Sequence, residues 1–235
     1  AIEFQEQSLA ISREIGNRQG EATALGNLGL AYYYLDNIHR AIGYYEQSLS
    51  IFREIGNKQD EGNTLGDMGN AYLHLCDPRR AIGFFEQQLV ITRQFGDRRG
   101  EKRALGSLGG AYKYLGDVRR SIGFLKQARA IAREIGDRLD EGITLGNLGE
   151  VYNILGDAQQ AITLYEQALE VNRETGNQQA ESDNLNKLGI VYGQLGETQR
   201  AIVLFEQSLE IDRKIGHRRG EGHALCNLGN VYKDL

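Results

Sequence analysis

The chain has 235 residues, with 27 Lys and Arg against 32 Asp and Glu, a net charge of −5 and an isoelectric point near 5.5. Hydrophobic residues make up 40% and charged residues 25%, enough apolar material to bury a core in water, while the net negative charge offers no global attraction to nucleic acid. Apolar runs are only a few residues long, far below the roughly 18 needed to span a bilayer, so neither a membrane nor a nucleic acid is an expected partner.

A single proline, Pro78, favours long helices, whereas 30 glycines, nearly double the usual ~7%, argue against them. Position resolves the conflict. Written in rows of forty, Gly16, Gly56, Gly96, Gly136, Gly176 and Gly216 share one column, and Gly29, Gly69, Gly109, Gly149, Gly189 and Gly229 share another. A fixed period between about 20 and 50 residues marks a solenoid built from repeated units. The period runs unbroken from residue 1 to residue 235, which predicts one domain of about six 40-residue units and 12 helices, with no linker.

In chain order, the first residues fall within a helix of the second kind, helix B, where Ile2, Leu9 and Ile11 are apolar. Asn17 then caps helix A, predicted over 18–35, whose Ala24, Leu25, Leu28, Ala31, Tyr32 and Leu35 fall at helical steps. Asn37 caps the next helix B, predicted over about 38–55, with Ala41, Ile42, Tyr45, Leu49 and Phe52 as its stripe. The pair recurs every forty residues. The cap columns continue as Asn57, Asp97, Asp137, Asn177 and His217 for helix A, and as Asp77, Asp117, Asp157 and Glu197 for helix B; Pro78 occupies a first helical position that tolerates it. Gly116, Gly156 and Gly196 suit left-handed ends of helix A, as the Gly16 column does for helix B. Cys76 stands in the Gly116 column, where a side chain costs roughly 1 to 2 kcal/mol. Gly29 and its equivalents lie inside helix A at about 1 kcal/mol each, so the missing side chain must admit a close approach by helix B.

Leu25, Leu28, Gly29, Tyr32, Ala41, Tyr45 and Ser48, repeated as Leu145, Leu148, Gly149, Tyr152, Ala161, Tyr165 and Ala168, resemble the tetratricopeptide (TPR) pattern. The forty-residue period and the strings at Leu25–Gly29 and Leu145–Gly149 are similar to the Leu-Gly-Asn branch of that family, which includes kinesin light chains. Gln5 in place of a helix B aromatic, Ser121 in place of Ala, and Asn186 with Lys187 in place of the Gly-Asn pair depart from it. The resemblance implies an all-α, right-handed superhelical solenoid of antiparallel helix pairs. Its concave groove, lined by the A helices, would hold an extended or helical segment of another protein. Carried over position by position, the binding face comprises Asn27, Tyr33, Tyr34, Asn63, Asn70, Arg103, Lys113, Asn147, Asn153, Asn186, Asn227 and Asn230. Asparagine suits the task because its amide both donates to and accepts from a partner backbone.

No catalytic constellation is expected. Gly26–Gly29 and Gly106–Gly109 look superficially like phosphate loops but fall mid-helix and lack the Lys-Ser/Thr ending. His39, His74, His217, His223, Cys76 and Cys226 lack metal-ligand spacing, so no metal or cofactor is expected, and two unpaired cysteines fit a reducing, cytoplasmic setting. Arg13, Arg53, Arg93, Arg133, Arg173 and Arg213 form a column, as do Glu21, Glu61, Glu101, Glu141, Glu181 and Glu221, which predicts a structural ion pair repeated along the chain. Arg40, Arg79, Arg80, Arg119, Arg120 and Arg200 are expected to pair with carboxylates of neighbouring helices. Function therefore rests on shape: an interaction scaffold, with a peptide-sensing regulatory domain of a larger effector and a self-associating array as alternatives. Because the register enters within helix B and leaves within helix A, the chain reads as part of a longer array. Ile2, Leu9 and Ile11 at one end, with Leu225, Leu228 and Val231 at the other, are then expected to stack head to tail, residue 235 leading into the register of Ala1.

Overall fold

The computed structural model describes residues 2–233. Among them are twelve α-helices and no strand: α1 (Ile2–Glu14), α2 (Arg18–Tyr34), α3 (Ile38–Glu54), α4 (Lys58–His74), α5 (Pro78–Gln94), α6 (Arg98–Tyr114), α7 (Val118–Glu134), α8 (Arg138–Leu155), α9 (Ala158–Thr175), α10 (Gln178–Gln194), α11 (Thr198–Ile215) and α12 (Arg218–Lys233). Even-numbered helices are the A helices and odd-numbered helices the B helices. The expected all-α repeat solenoid is present, and helix boundaries fall within a residue or so of those read from the period. The register of Ala1 and Leu235 lies outside the described residues. The chain forms two compact units, residues 1–117 with α1–α6 and residues 118–235 with α7–α12.

Local signals start and stop each helix. The side chains of Asn17, Asn57, Asp97, Asp137 and Asn177 accept hydrogen bonds from the N–H groups of Gly20, Asp60, Gly100, Asp140 and Ala180 at the starts of A helices. Asn37, Asp77 and Asp157 do the same for B helices. Glu197 makes no such bond, its side chain being one methylene longer than the aspartates that close this cap. At the far ends the chain turns through a left-handed residue. In the turn that ends α2, Asn37 N–H reaches Tyr32 C=O at 2.9 Å and Asp36 N–H reaches Tyr33 C=O at 3.0 Å, a pairing that satisfies the last helical carbonyls. Gly116, Gly156 and Gly196 hold this position with φ of 82°, 86° and 78°, and Cys76 holds it with φ 57°. Asp36 does so too, at φ 60°, an exception that its residue type conceals.

In four A–B hairpins the glycine of the A helix receives an aromatic ring. A methyl group at Gly29 would lie 2.6 Å from the Tyr45 ring, at Gly69 2.4 Å from Phe85, at Gly149 2.9 Å from Tyr165 and at Gly189 2.6 Å from Phe205. Tyr45, Phe85, Tyr165 and Phe205 are at most 2% exposed. The core of the first unit runs through Leu25, Leu28, Phe52, Tyr45, Leu65 and Met68; that of the second runs through Leu145, Leu148, Tyr165, Leu185, Leu188 and Phe205.

Each turn from a B helix to the next A helix carries an ion pair. Arg13, Arg53, Arg93, Arg133, Arg173 and Arg213 donate through Nε to Glu21, Glu61, Glu101, Glu141, Glu181 and Glu221 at 2.6 to 3.1 Å, as the two columns predict. Five of these carboxylates take a second cation from their own first turn, for example Lys58 on Glu61 at 2.6 Å. Burial pushes the Glu61 carboxyl up, but Lys58 and Arg53 outweigh it and hold the group below its ordinary value of 4.5.

Glu61→Gln is therefore expected to lose about 1 to 3 kcal/mol of unfolding free energy at pH 7. The folded carboxyl titrates below the unfolded one, so its contribution is complete above the unfolded value and vanishes as pH falls through the folded one. Urea unfolding of both chains across this range checks the expectation. Cys76→Gly is expected to stabilise the chain by about 0.5 to 1 kcal/mol, after the greater unfolded-state entropy of glycine is deducted. Asp36→Gly gains less, because it also removes the contact of Asp36 Oδ1 with His74 Nε2 at 2.8 Å. Melting temperatures of the two variants give the comparison.

Candidate functional site

With one face of every A helix buried against B helices, the opposite face remains, and the expected binding residues lie there. In the first unit Asn27 is exposed and donates to Gln5 at 3.3 Å, so the residue that departs from the aromatic column engages the first asparagine. Asn63 accepts from Arg103 at 2.8 Å, linking α4 to α6. Asn70 is exposed. Tyr33 meets Tyr34 and His74 edge-on, at centroid separations of 5.9 and 5.6 Å, and Lys113 places its ammonium 5.4 Å from the Tyr114 ring centre.

In the second unit Asn147, Asn153 and Asn186 are half-buried and Asn230 is exposed. Asn227 donates to Asn186 at 2.6 Å, and Lys187 donates to Glu150 at 2.9 Å. Thus Lys187, which departs from the family pattern, is held by the preceding A helix, while the side-chain amides of Asn70, Asn147, Asn153 and Asn230 hydrogen-bond to no described residue.

Asp67 shares the column of Asn27, Asn147 and Asn227. It is half-buried and makes no hydrogen bond or ion pair with a described residue. Burial pushes its carboxyl up to about 6, against the opposing pull of the Arg103 charge. Its own charge raises the hydroxyl pKa values of Tyr33 and Tyr45, though burial is the larger cause for both. The composition of the column gives no hint of this isolation.

Three of the arginines near the starts of the B helices are placed differently from expectation. Arg40, Arg80 and Arg200 lie over the rings of Tyr32, Tyr72 and Tyr192 at 4.7, 5.5 and 5.4 Å from their centres, rather than pairing with carboxylates of neighbouring helices. The carboxylates they do meet are the cap residues of their own helices, Asp77 for Arg80 and Glu197 for Arg200. Tyr32 in turn stacks on Tyr44, and Tyr72 on Phe84, with centroids 5.3 Å apart in both pairs.

At the helix ends, α1 exposes Ile11, and Leu9 is buried; α12 exposes Leu225, buries Leu228 and half-buries Val231. Cys76 and Cys226 are free and exposed. Among the described residues no cluster of three or more His, Cys, Asp or Glu side chains could hold a metal ion, and no helix is long and apolar enough to cross a membrane.

These repeats, with their glycine-seated rings and polar A faces, define a class of helical-repeat protein. The tetratricopeptide repeat family pattern matches residues 1–54, 60–134 and 140–214, and the chain belongs to that family, in general a non-enzymatic protein-interaction fold. A comparison with curated proteins returns no match. Among solved structures, the chain is similar to nearly identical TPR-like repeats of a Podosopora anserina protein assigned as a kinesin light chain, with 20% identity, TM-score 0.68, and 82% of this chain and 95% of that one covered. It is also similar to a signal transduction ATPase with numerous domains from Pyrococcus horikoshii that carries a tetratricopeptide repeat sensor, with 17% identity, TM-score 0.80, and 97% and 34% coverage. A Rap protein complexed with competence and sporulation factor is similar at 14% identity, TM-score 0.76, and 92% and 63% coverage. At these identities the likeness concerns the fold.

Asp67→Asn is expected to stabilise the chain at pH 7 by about 3 kcal/mol, the rise from 3.8 to about 6 being worth about 1.36 kcal/mol per pKa unit. Between pH 3.8 and about 6 the folded wild type holds a proton that the unfolded chain has released, so wild-type stability falls as pH rises through this window. The advantage of the variant should therefore fade on acidification and be absent below the window, which urea titrations at stepped pH would reveal.

Proposed function

We propose that the chain is a non-enzymatic interaction module that holds an extended or helical segment of a partner protein along the exposed faces of its A helices, the groove face of the family. The observation that carries this reading is the set of asparagine amides at Asn70, Asn147, Asn153 and Asn230. They stand on A-helix faces, accessible and unused by the fold, where each can exchange hydrogen bonds with a partner backbone whatever its sequence. Asn27, Asn63, Asn186 and Asn227 already have side-chain partners, at the distances given above, and contribute by orienting the face or by exchanging those bonds. Tyr33, Tyr34, Arg103 and Lys113 supply specificity beside the amides of the first unit. The exposed free cysteines fit a reducing, cytoplasmic setting.

A second reading, a sensor domain that regulates an effector, is favoured by the Pyrococcus horikoshii protein, whose repeat sensor forms part of a much longer chain. Both readings use the same face and differ in what it controls.

Asn147→Ala is expected to weaken the binding of a captured partner by about 1 to 3 kcal/mol without changing the melting temperature, because the partner's polar group loses its pair. Calorimetry with the wild type and with a combined Asn70, Asn147 and Asn153 to Ala variant checks it; equal affinity in the two would remove the A-helix faces from the binding surface.

A further inference from the structure

Tyr34, His74 and Tyr114 stand forty residues apart, at one position near the C-terminal ends of α2, α4 and α6. In the second unit the same position holds Ile154 and Gln194, so the aromatic run distinguishes the first unit within an otherwise repetitive chain. Tyr34 is 78% exposed and Tyr114 71% exposed. Beside Tyr114 opens a cavity of about 480 Å³ lined by Tyr33, Asn70, His74, Pro78 and Tyr114, among others. Tyr33 packs against Tyr34 and His74 with interplanar angles of 81° and 76°. Edge contacts of this kind cover at most one face of a ring, and an open ring face carries negative potential.

Two carboxylates and two cations stand around this box, and of the four Asp67 alone has no hydrogen bond, ion pair or ring contact with a described residue. Asp67, Asn70 and His74 fall at i, i+3 and i+7 on α4; Asn70 and His74 line the cavity, and Asp67 stands a turn behind them, near enough for its charge to act on Tyr33, which also lines it. Arg103, the cation whose charge reaches Asp67, gives its hydrogen bond to Asn63 instead. Asp36 adds a second carboxylate, on His74. Lys113 lies over Tyr114, which it reaches from its own helix. An apolar occupant would remove more water from an unpaired carboxylate, and an acidic one would be repelled; a cation supplies the partner that Asp67 lacks.

We infer that this box is a cation subsite of the binding face, taking the guanidinium or ammonium group of an arginine or lysine side chain in the bound segment. The rings of Tyr33, His74 and Tyr114 enclose the cation and Asp67 balances its charge. The subsite rests on the interaction-module reading and adds the chemistry of one anchor residue in the partner.

The test uses the whole chain and single-residue probes: N-acetyl-arginine methylamide, its lysine counterpart, and the citrulline and leucine derivatives as neutral controls. Titrations followed through the tyrosine and histidine ring resonances should show saturable shifts at Tyr33, His74 and Tyr114 with the cationic probes. Binding should be about fivefold weaker or worse with citrulline, as expected for loss of a cation–ring contact, and added salt should weaken it. Asp67→Asn should lower affinity for the arginine probe by about fivefold. The variant should fold, since asparagine occupies the same position at Asn27, Asn147 and Asn227. Citrulline or leucine binding as tightly as arginine, an unchanged affinity in Asp67→Asn, or no ring shifts at roughly tens of millimolar probe would each overturn the subsite. Because no partner segment takes part, that failure leaves the asparagine variants to decide the binding face separately.

Discussion

Gly69 and Phe85 approach more closely than any side chain at residue 69 would allow, with the ring 2.4 Å from where a methyl group would stand. The same seat is made by Gly29 with Tyr45, Gly149 with Tyr165 and Gly189 with Phe205. A mid-helix glycine costs about 1 kcal/mol relative to alanine, and full burial of an aromatic ring outweighs it at roughly 1.5 to 3 kcal/mol. The contact fixes how the B helix of a hairpin lies on its A helix. Once that face of the A helix is committed, the face turned away is the one left for polar and exposed aromatic residues.

The ion pairs act at the other joint, from each B helix to the next A helix. Their carboxylates are nearly buried while their cations stay half in water, so the desolvation cost falls mainly on the glutamates and two cations usually meet it. Caps and left-handed residues set the turn lengths between these joints. Asp67 shows the opposite arrangement, a carboxylate on the free face with burial and no partner, and a pKa raised rather than lowered. In this fold a carboxylate that belongs to the scaffold is paired, which gives an unpaired one on the free face its functional interest.

Much of the scaffold was legible because each structural demand recurs every forty residues in the same residue type. The glycine columns, the cap columns and the Arg–Glu columns each state a geometric requirement; the structure meets the Arg–Glu column at every position and the other two at most of them, Glu197 and Gly229 being exceptions. Single departures were harder to read. Asp36 adopts a left-handed conformation without the glycine that would signal it. A column of arginines looks the same whether it faces carboxylates or rings, so the placement of Arg40 over Tyr32 and Arg80 over Tyr72 needed three dimensions. The pairing of Asn27 with Gln5 and of Asn227 with Asn186 depends on neighbouring helices and rotamers that no spacing encodes. The candidate face was thus readable as a set of positions, but not as a division between amides the fold uses and amides it leaves free.

The dependence of the hairpin on the glycine seat is tested most directly by a double-mutant cycle between Gly69→Ala and Phe85→Leu, followed by urea unfolding. If the ring seated on the glycine defines the packing, Gly69→Ala is strongly destabilising beside Phe85 and far less so beside leucine, with a coupling energy of about 1 to 2 kcal/mol. Effects that add within about 0.5 kcal/mol would contradict the account, because the A and B helices would then be held in place by something other than this contact.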